Sequence, residues 1–250
     1  MIADPSVNGQ PARGVVPRAP AIEARSISAG YGPQAVIHDV CIEVKPGEVI
    51  ALLGSNGAGK TTTLLTLAGE LSPLSGNVMI DGIVAKGPLH KRARNGLTFV
   101  TEEKSVFKGL STRDNLRAAS VDVDEALELF PELARRIRVR GGLLSGGEQQ
   151  MLTLARALAR KPRVLLADEL SMGLGPLIVK RLLEAVRAAA DEQGTAVLLV
   201  EQQVRKALAF ADRAYVMRRG RIELSGTAAE LSARIREIED KYLSTHTPRG

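Results

Sequence analysis

The sequence predicts an α/β fold with a mixed sheet whose core is mainly parallel, and three observations carry that prediction. Strand-length apolar runs alternate with helical segments through the second half of the chain: strands at 164–167, 195–200 and 214–217, helices at 178–192 and 203–211. A glycine-rich segment, 54–62, stands between an apolar strand at 48–53 and a helix opening at 63–69. Between about 102 and 161 the pattern turns helical, with apolar residues three and four apart at 124–130 and 151–158, which reads as an inserted helical lobe.

In chain order, residues 1–20 carry Pro5, Pro11, Pro17 and Pro20 with Gly9 and Gly14 and no continuous apolar stretch. They read as a disordered tail, not a signal peptide, with a domain expected from 21 to 243 and a second short tail at 244–250. Short strands are expected at 22–27 and 35–44, a turn at 45–48, and a strand at 77–80 closed by the Asp81-Gly82 turn pair. Hydrophobic residues make up 44% and charged residues 25%, a globular balance. No apolar run approaches the roughly 20 residues that span a bilayer. Cys41 is the only cysteine, which excludes an internal disulfide, and its place in an alternating run reads as a small core filler. The net charge of +6 is scattered instead of striped, which argues against nucleic acid as a partner.

Three motifs carry chemistry. Gly54-Ser55-Asn56-Gly57-Ala58-Gly59-Lys60-Thr61-Thr62 is a phosphate loop in its proper strand-to-helix setting. Its backbone N–H groups and the helix N-terminus favour a triphosphate, Lys60 reaches the β- and γ-phosphates, and the Thr61 hydroxyl ligates Mg²⁺. The second motif is Arg163-Val164-Leu165-Leu166-Ala167-Asp168-Glu169: a buried strand delivers two carboxylates to its C-terminal end, where open α/β sheets bind ligands. Asp168 is placed to hold the same Mg²⁺, and Glu169 to polarise the water that attacks the γ-phosphate. The third is Leu144-Ser145-Gly146-Gly147-Glu148-Gln149-Gln150. Ser145 and Glu148 make a capping box, and a capped helix start with two glycines is also an anion cradle.

In that order the three motifs resemble the nucleotide-binding subunits of ATP-binding cassette (ABC) transporters, over roughly residues 21–242. The resemblance implies the ABC type of P-loop NTPase, with an N-terminal antiparallel β subdomain and an inserted helical subdomain. It implies ATP hydrolysis with Mg²⁺, Tyr31 stacked on the adenine, and Glu102 as a further Mg²⁺ contact. It also implies a head-to-tail dimer, in which Ser145, Gly146, Gly147 and Glu148 of one subunit face the γ-phosphate bound by the other. Within the family, Phe99-Val100-Thr101-Glu102-Glu103-Lys104, Val200-Glu201-Gln202-Gln203 and the Leu143–Leu152 stretch are similar to the smaller ATPase subunit of branched-chain amino acid importers (LivF-like).

That likeness implies a peripheral subunit on the cytoplasmic face of a bacterial or archaeal membrane. Its partners would be a second ATPase subunit (itself or a larger relative), multi-span permeases and, indirectly, a solute-binding protein. Two positions depart from the wider family: Glu102 stands where glutamine is usual, and Gln202 where histidine is usual. Gln202 can donate a hydrogen bond to the γ-phosphate but cannot take a proton near neutral pH, so the expected basal ATPase is slow. Thr101-Glu102-Glu103-Lys104 also replaces the importer group's Pro-Glu-Gly-Arg, while residues 171–176 fit its loop after the glutamate. The alternatives are a soluble non-transport cassette, as in iron–sulfur assembly, and the ATPase of a lipid-component exporter. A chromosome or repair ATPase would need a long heptad insertion between Lys60 and Leu144, and none is present.

Overall fold

The computed structural model describes residues 19–240, so the tail expected at 1–20 lies almost wholly outside the described residues and that at 244–250 entirely so. The chain begins with a hairpin of β1 (Ile22–Tyr31) and β2 (Gln34–Val44), then passes through β3 (Val49–Leu53) into α1 (Lys60–Ala68). After β4 (Ser75–Ile80), β5 (Ile83–Val84) and α2 (Leu89–Arg94), β6 (Leu97–Val100) leads into α3 (Thr112–Ala118), α4 (Val123–Leu129) and α5 (Gly146–Leu158). The second half alternates: β7 (Val164–Asp168), α6 (Pro176–Gln193), β8 (Ala196–Glu201), α7 (Val204–Phe210) and β9 (Arg213–Arg218). It finishes with β10 (Arg221–Thr227), α8 (Ala228–Ala233) and α9 (Ile235–Ile238).

Two sheets result. The larger runs β10-β9-β3-β8-β7-β6, with every pairing from β9 to β6 parallel and β10 antiparallel at its edge. The smaller, β2-β1-β4-β5, is antiparallel throughout. This is the mixed sheet with a mainly parallel core, and the antiparallel N-terminal sheet, that the sequence predicts.

The parallel strands are apolar on both faces because both faces are covered. All of β3, β7 and β8 is buried. Leu165, Ala167, Val197 and Leu199 point to one side, into a core shared with α5 and α6. Their neighbours Leu166, Leu198, Ile50 and Leu52 point to the other, against α1 and the antiparallel sheet. A third cluster joins Ala51 and Leu53 to Val204, Ala207 and Leu208 of α7.

Three expectations from the sequence are corrected in detail. Cys41 is not a core filler: it is exposed, because β2 alternates and Val40, Ile42 and Val44 take the inner face. β1 and α1 are longer than the apolar runs suggested, since Ala29 and Gly30 still pair across the hairpin and α1 starts at Lys60 itself. β10 escaped notice because its burial alternates at a sheet edge and leaves no continuous apolar run.

A candidate nucleotide-binding site

The C-terminal ends of β3, β8 and β7 lie side by side in register, Leu53 opposite Glu201 and Val200 opposite Asp168. The loop, Asp168, Glu169 and Gln202 hang from these three ends, and Glu102 follows the end of β6, the strand beyond β7. The loop from β3 turns into α1 at Gly59, whose φ of 108° belongs to glycine. A Cβ there would lie 2.7 Å from Ile37 Cγ2, so the loop also packs too tightly on β2 for any side chain.

Lys60 is only 5% exposed. Its Nζ donates to the carbonyls of Gly54 (3.0 Å) and Ser55 (3.2 Å) and stands 3.9 Å from Glu169 Oε1. Burial pushes the Lys60 pKa down, opposed by the charges of Glu169, Asp168 and Glu201. The ammonium thus fills the centre of a loop whose other groups are backbone dipoles.

At the end of β7, the Thr61 hydroxyl donates to Asp168 Oδ2 at 2.9 Å, while Asp168 Oδ1 is buried with no partner. Burial raises the Asp168 pKa, and the Thr61 bond works against it. Glu169 follows in a left-handed conformation, φ 47°, unusual away from glycine. Its N–H is tied to Val200 O at 3.0 Å. The Gln202 amide nitrogen reaches both Glu169 oxygens at 2.7 Å.

Lys60, Thr61, Glu169 and Gln202 open onto one cleft of about 390 Å³, while Asp168 is buried and not among its lining residues. Asn56, Gly57, Gly59, Lys60, Thr61 and Thr62 form one wall, and Glu102, Glu169 and Gln202 face them. Gly54, Ser55 and Ala58 support the loop from behind: two carbonyls hold Lys60, and the Ala58 methyl is buried. Val36 and Met172 complete the wall, and sequence reading missed both. The arrangement suits a polyphosphate: a cationic, N–H-bearing turn with the carboxylates of Glu102 and Glu169 in the same cleft.

Two groups of expected residues lie elsewhere. Tyr31, at the end of β1, does not line the cleft and is 59% exposed. Ser145, Gly146, Gly147 and Glu148 start α5, and none of them lines the cleft. Both arms of the capping box are made: Ser145 N–H donates to Glu148 Oε2 at 2.8 Å, and Glu148 N–H to Ser145 Oγ at 3.3 Å. Arg136 also binds Glu148 at 2.7 Å, and this bond with the cap holds its carboxyl below the usual range. Lys104 was assigned no role from sequence, yet a Cβ on Gly146 would lie 3.0 Å from its Nζ. A cation therefore sits at this helix start.

A family profile described as "ABC transporter" matches residues 37–171, more than half of the chain. The chain belongs to the ABC transporter family. It is an ATPase subunit of such a transporter and binds nucleotide. It is 41% identical over 227 residues to the high-affinity branched-chain amino acid transport ATP-binding protein BraG of Pseudomonas aeruginosa, covering 87% of this chain and 97% of BraG. It is 35% identical to the probable LivF of Archaeoglobus fulgidus, over 82% and 91% of the two chains. The lipopolysaccharide export protein LptB of Escherichia coli is 37% identical, over 84% and 92%. Among solved structures, an ATP-binding subunit of an ABC transporter superposes with a TM-score of 0.74 at 27% identity, covering 86% of this chain and 93% of that one. A bacterial cassette solved as a dimer gives 0.73 at 23%, over 83% and 98%. No helix among the described residues of this cassette is long and apolar enough to cross a membrane.

The donor set fits Mg²⁺. Thr61 Oγ1 and the Asp168 carboxylate are hard oxygens, and Asp168 keeps one oxygen buried and unpartnered. Among the described residues no cluster of three or more acidic, histidine or cysteine side chains holds a metal alone. That suits an ion bound by one or two carboxylates together with substrate phosphates.

A buried, half-satisfied carboxylate costs stability in the free ATPase. The folded Asp168 pKa lies above the unfolded one, so the penalty is fully present above the folded value and fades as pH falls toward the ordinary value of 3.8. Asp168→Asn is therefore expected to raise the melting temperature of the nucleotide-free protein at pH 7. A gain of about 1 kcal/mol corresponds to about 2–4 °C at this chain length. The same variant loses the enhancement of ATP binding by Mg²⁺. Thermal melts across pH 4–8, with the difference from the parent shrinking toward the acid end, check both the sign and its cause.

Proposed function

We propose that this subunit drives import of a small solute, with branched-chain or other hydrophobic amino acids as the leading cargo, through separate membrane permeases. The observation that carries this reading is the near end-to-end likeness to BraG, supported by that to LivF. The permeases follow from chemistry: a cassette without a spanning helix among its described residues supplies energy, not a pathway. The chain acts at the cytoplasmic face, with a solute-binding protein as an indirect partner.

In this reading the N–H groups of 54–62 and Lys60 hold the triphosphate in the cleft, with Tyr31, exposed outside it, against the adenine. Thr61, Asp168 and Glu102 hold Mg²⁺, which when bound offsets phosphate charge. Glu169 polarises the attacking water, and Gln202, already bonded to its carboxylate, keeps it oriented. Ser145, Gly146 and Gly147 of a second subunit, with Glu148 capping that helix, close over the γ-phosphate. The structural relative solved as a dimer supports that pairing, with a second copy or a larger relative as partner. The domain then runs from 21 to 243, with 102–161 as the helical lobe that contacts the permease.

Export of a lipid component is the second reading, favoured by the likeness to LptB. Proteoliposomes carrying the subunit with the permeases it co-purifies with decide between them. Import predicts ATP-dependent accumulation of labelled leucine that ceases with Glu169→Gln. Release of lipopolysaccharide precursors without leucine uptake would establish export instead.

A further inference from the structure

The end of β8 carries a carboxylate that the proposed mechanism does not use. Glu201 is 3% exposed and sits on the strand between the one that feeds the phosphate loop and the one that ends in Asp168. Its charge acts on Lys60, but among the described residues Lys60 forms its ion pair with Glu169 instead. Glu201 accepts two hydrogen bonds from a single residue across the strand gap: the Ser171 hydroxyl at 2.6 Å and the Ser171 N–H at 3.2 Å.

The connection is reciprocal. Ser171 lies two residues after Glu169 on the chain leaving β7, and Gln202 lies one residue after Glu201 on the chain leaving β8. Glu201 holds Ser171, while Gln202 holds the Glu169 carboxylate and Val200 O holds the Glu169 N–H at 3.0 Å. Glu169 is thus bracketed on both sides by anchors from β8. It needs them, because its φ of 47° is one a free glutamate rarely adopts. A buried carboxylate is expensive unless it is bonded, and the neighbouring charge of Glu169 adds to the cost, so the presence of Glu201 here calls for a function.

We propose that Glu201 is a positioning residue for ATP hydrolysis, acting through Ser171 to hold Glu169 in its left-handed conformation with the carboxylate facing the cleft. The role rests on the reading of Glu169 as the group that polarises water. The clasp shares no hydrogen bond with the phosphate loop, and Ser171→Ala removes it without changing the charge that Glu201 presents to Lys60, so the step that suffers in that variant is the chemical one. A misplacement of about 1 Å can cost about two orders of magnitude in rate.

The test is the ATPase activity and ATP affinity of Ser171→Ala, Glu201→Ala and Glu201→Gln, each alone and combined with Glu169→Gln. Ser171→Ala and Glu201→Ala are expected to lower kcat about tenfold or more while the KM for ATP stays within about twofold. Glu201→Gln retains most activity, since its amide can accept from the Ser171 N–H and donate to the hydroxyl. On the Glu169→Gln background, none of the three slows single-turnover hydrolysis further, because the clasp acts only through that side chain. Should Glu201→Ala fold poorly, Ser171→Ala removes a single hydroxyl and carries the result. Parental kcat in Ser171→Ala, or losses that add to that of Glu169→Gln, overturn the positioning role while the reading of Glu169 stands. Parental turnover in Glu169→Gln itself overturns that reading, and the clasp with it.

Discussion

Lys60→Ala is expected to abolish measurable ATP binding, raising the dissociation constant at least about 100-fold. The ammonium is buried, fixed by the Gly54 and Ser55 carbonyls, and the only cation among the described residues that line the cleft. Hydrogen bonds from a charged donor are each worth about 1.5–3 kcal/mol, and Lys60 is placed to make them to two phosphates. At about 1.4 kcal/mol per factor of ten, losing both exceeds two decades. The carboxylates around Lys60 (Glu169, Asp168 and Glu201) sharpen the effect, for without Lys60 their charge opposes a polyanion. The fold is expected to survive. Burial disfavours the charged form of Lys60, so removing it relieves a penalty that partly offsets the lost contacts. Titration with a fluorescent ATP analogue reads the affinity, and a melting curve of the nucleotide-free variant, within a few degrees of the parent, shows that folding is intact.

How much of this site was legible in the sequence depends on how local each contact is. The phosphate loop was readable because strand, glycines, lysine and helix are contiguous and their roles follow from backbone geometry. The capping box at Ser145 and Glu148 was readable for the same reason, since its partners are three residues apart and both bonds form. The pairing of Thr61 with Asp168 spans the chain, yet each residue announces itself through its own motif.

The unread contacts are those whose partners carry no local signal. Glu201 and Ser171 meet only because β7 and β8 are neighbours, and nothing in either segment names the other. Met172 and Val36 reach the cleft by the same kind of accident of packing. The left-handed Glu169 could not be read at all, because glutamate gives no warning of positive φ as glycine does. Cys41 was a different failure: the alternation of β2 was seen, but the residue was placed on the wrong face of it.

Glu169→Gln is expected to cut turnover by two to four orders of magnitude while leaving ATP affinity within a few-fold of the parent. A positioned general base contributes about 10²–10⁴ in rate, and glutamine keeps the shape of glutamate without its basicity. Affinity is expected to persist because the proposed phosphate contacts belong to the loop and to Lys60, which lies 3.9 Å from Glu169 and loses only an opposite charge. Binding without turnover holds the closed state, so an ATP-dependent dimer accumulates and is seen by size exclusion with Mg·ATP, absent with ADP. Gln202 does not compensate, since an amide cannot accept the proton, and in this structure it donates to the carboxylate that does. For the same reason the parent's pH–rate profile should lack an inflection of histidine type from that position. Parental turnover in Glu169→Gln would move the chemistry to another residue.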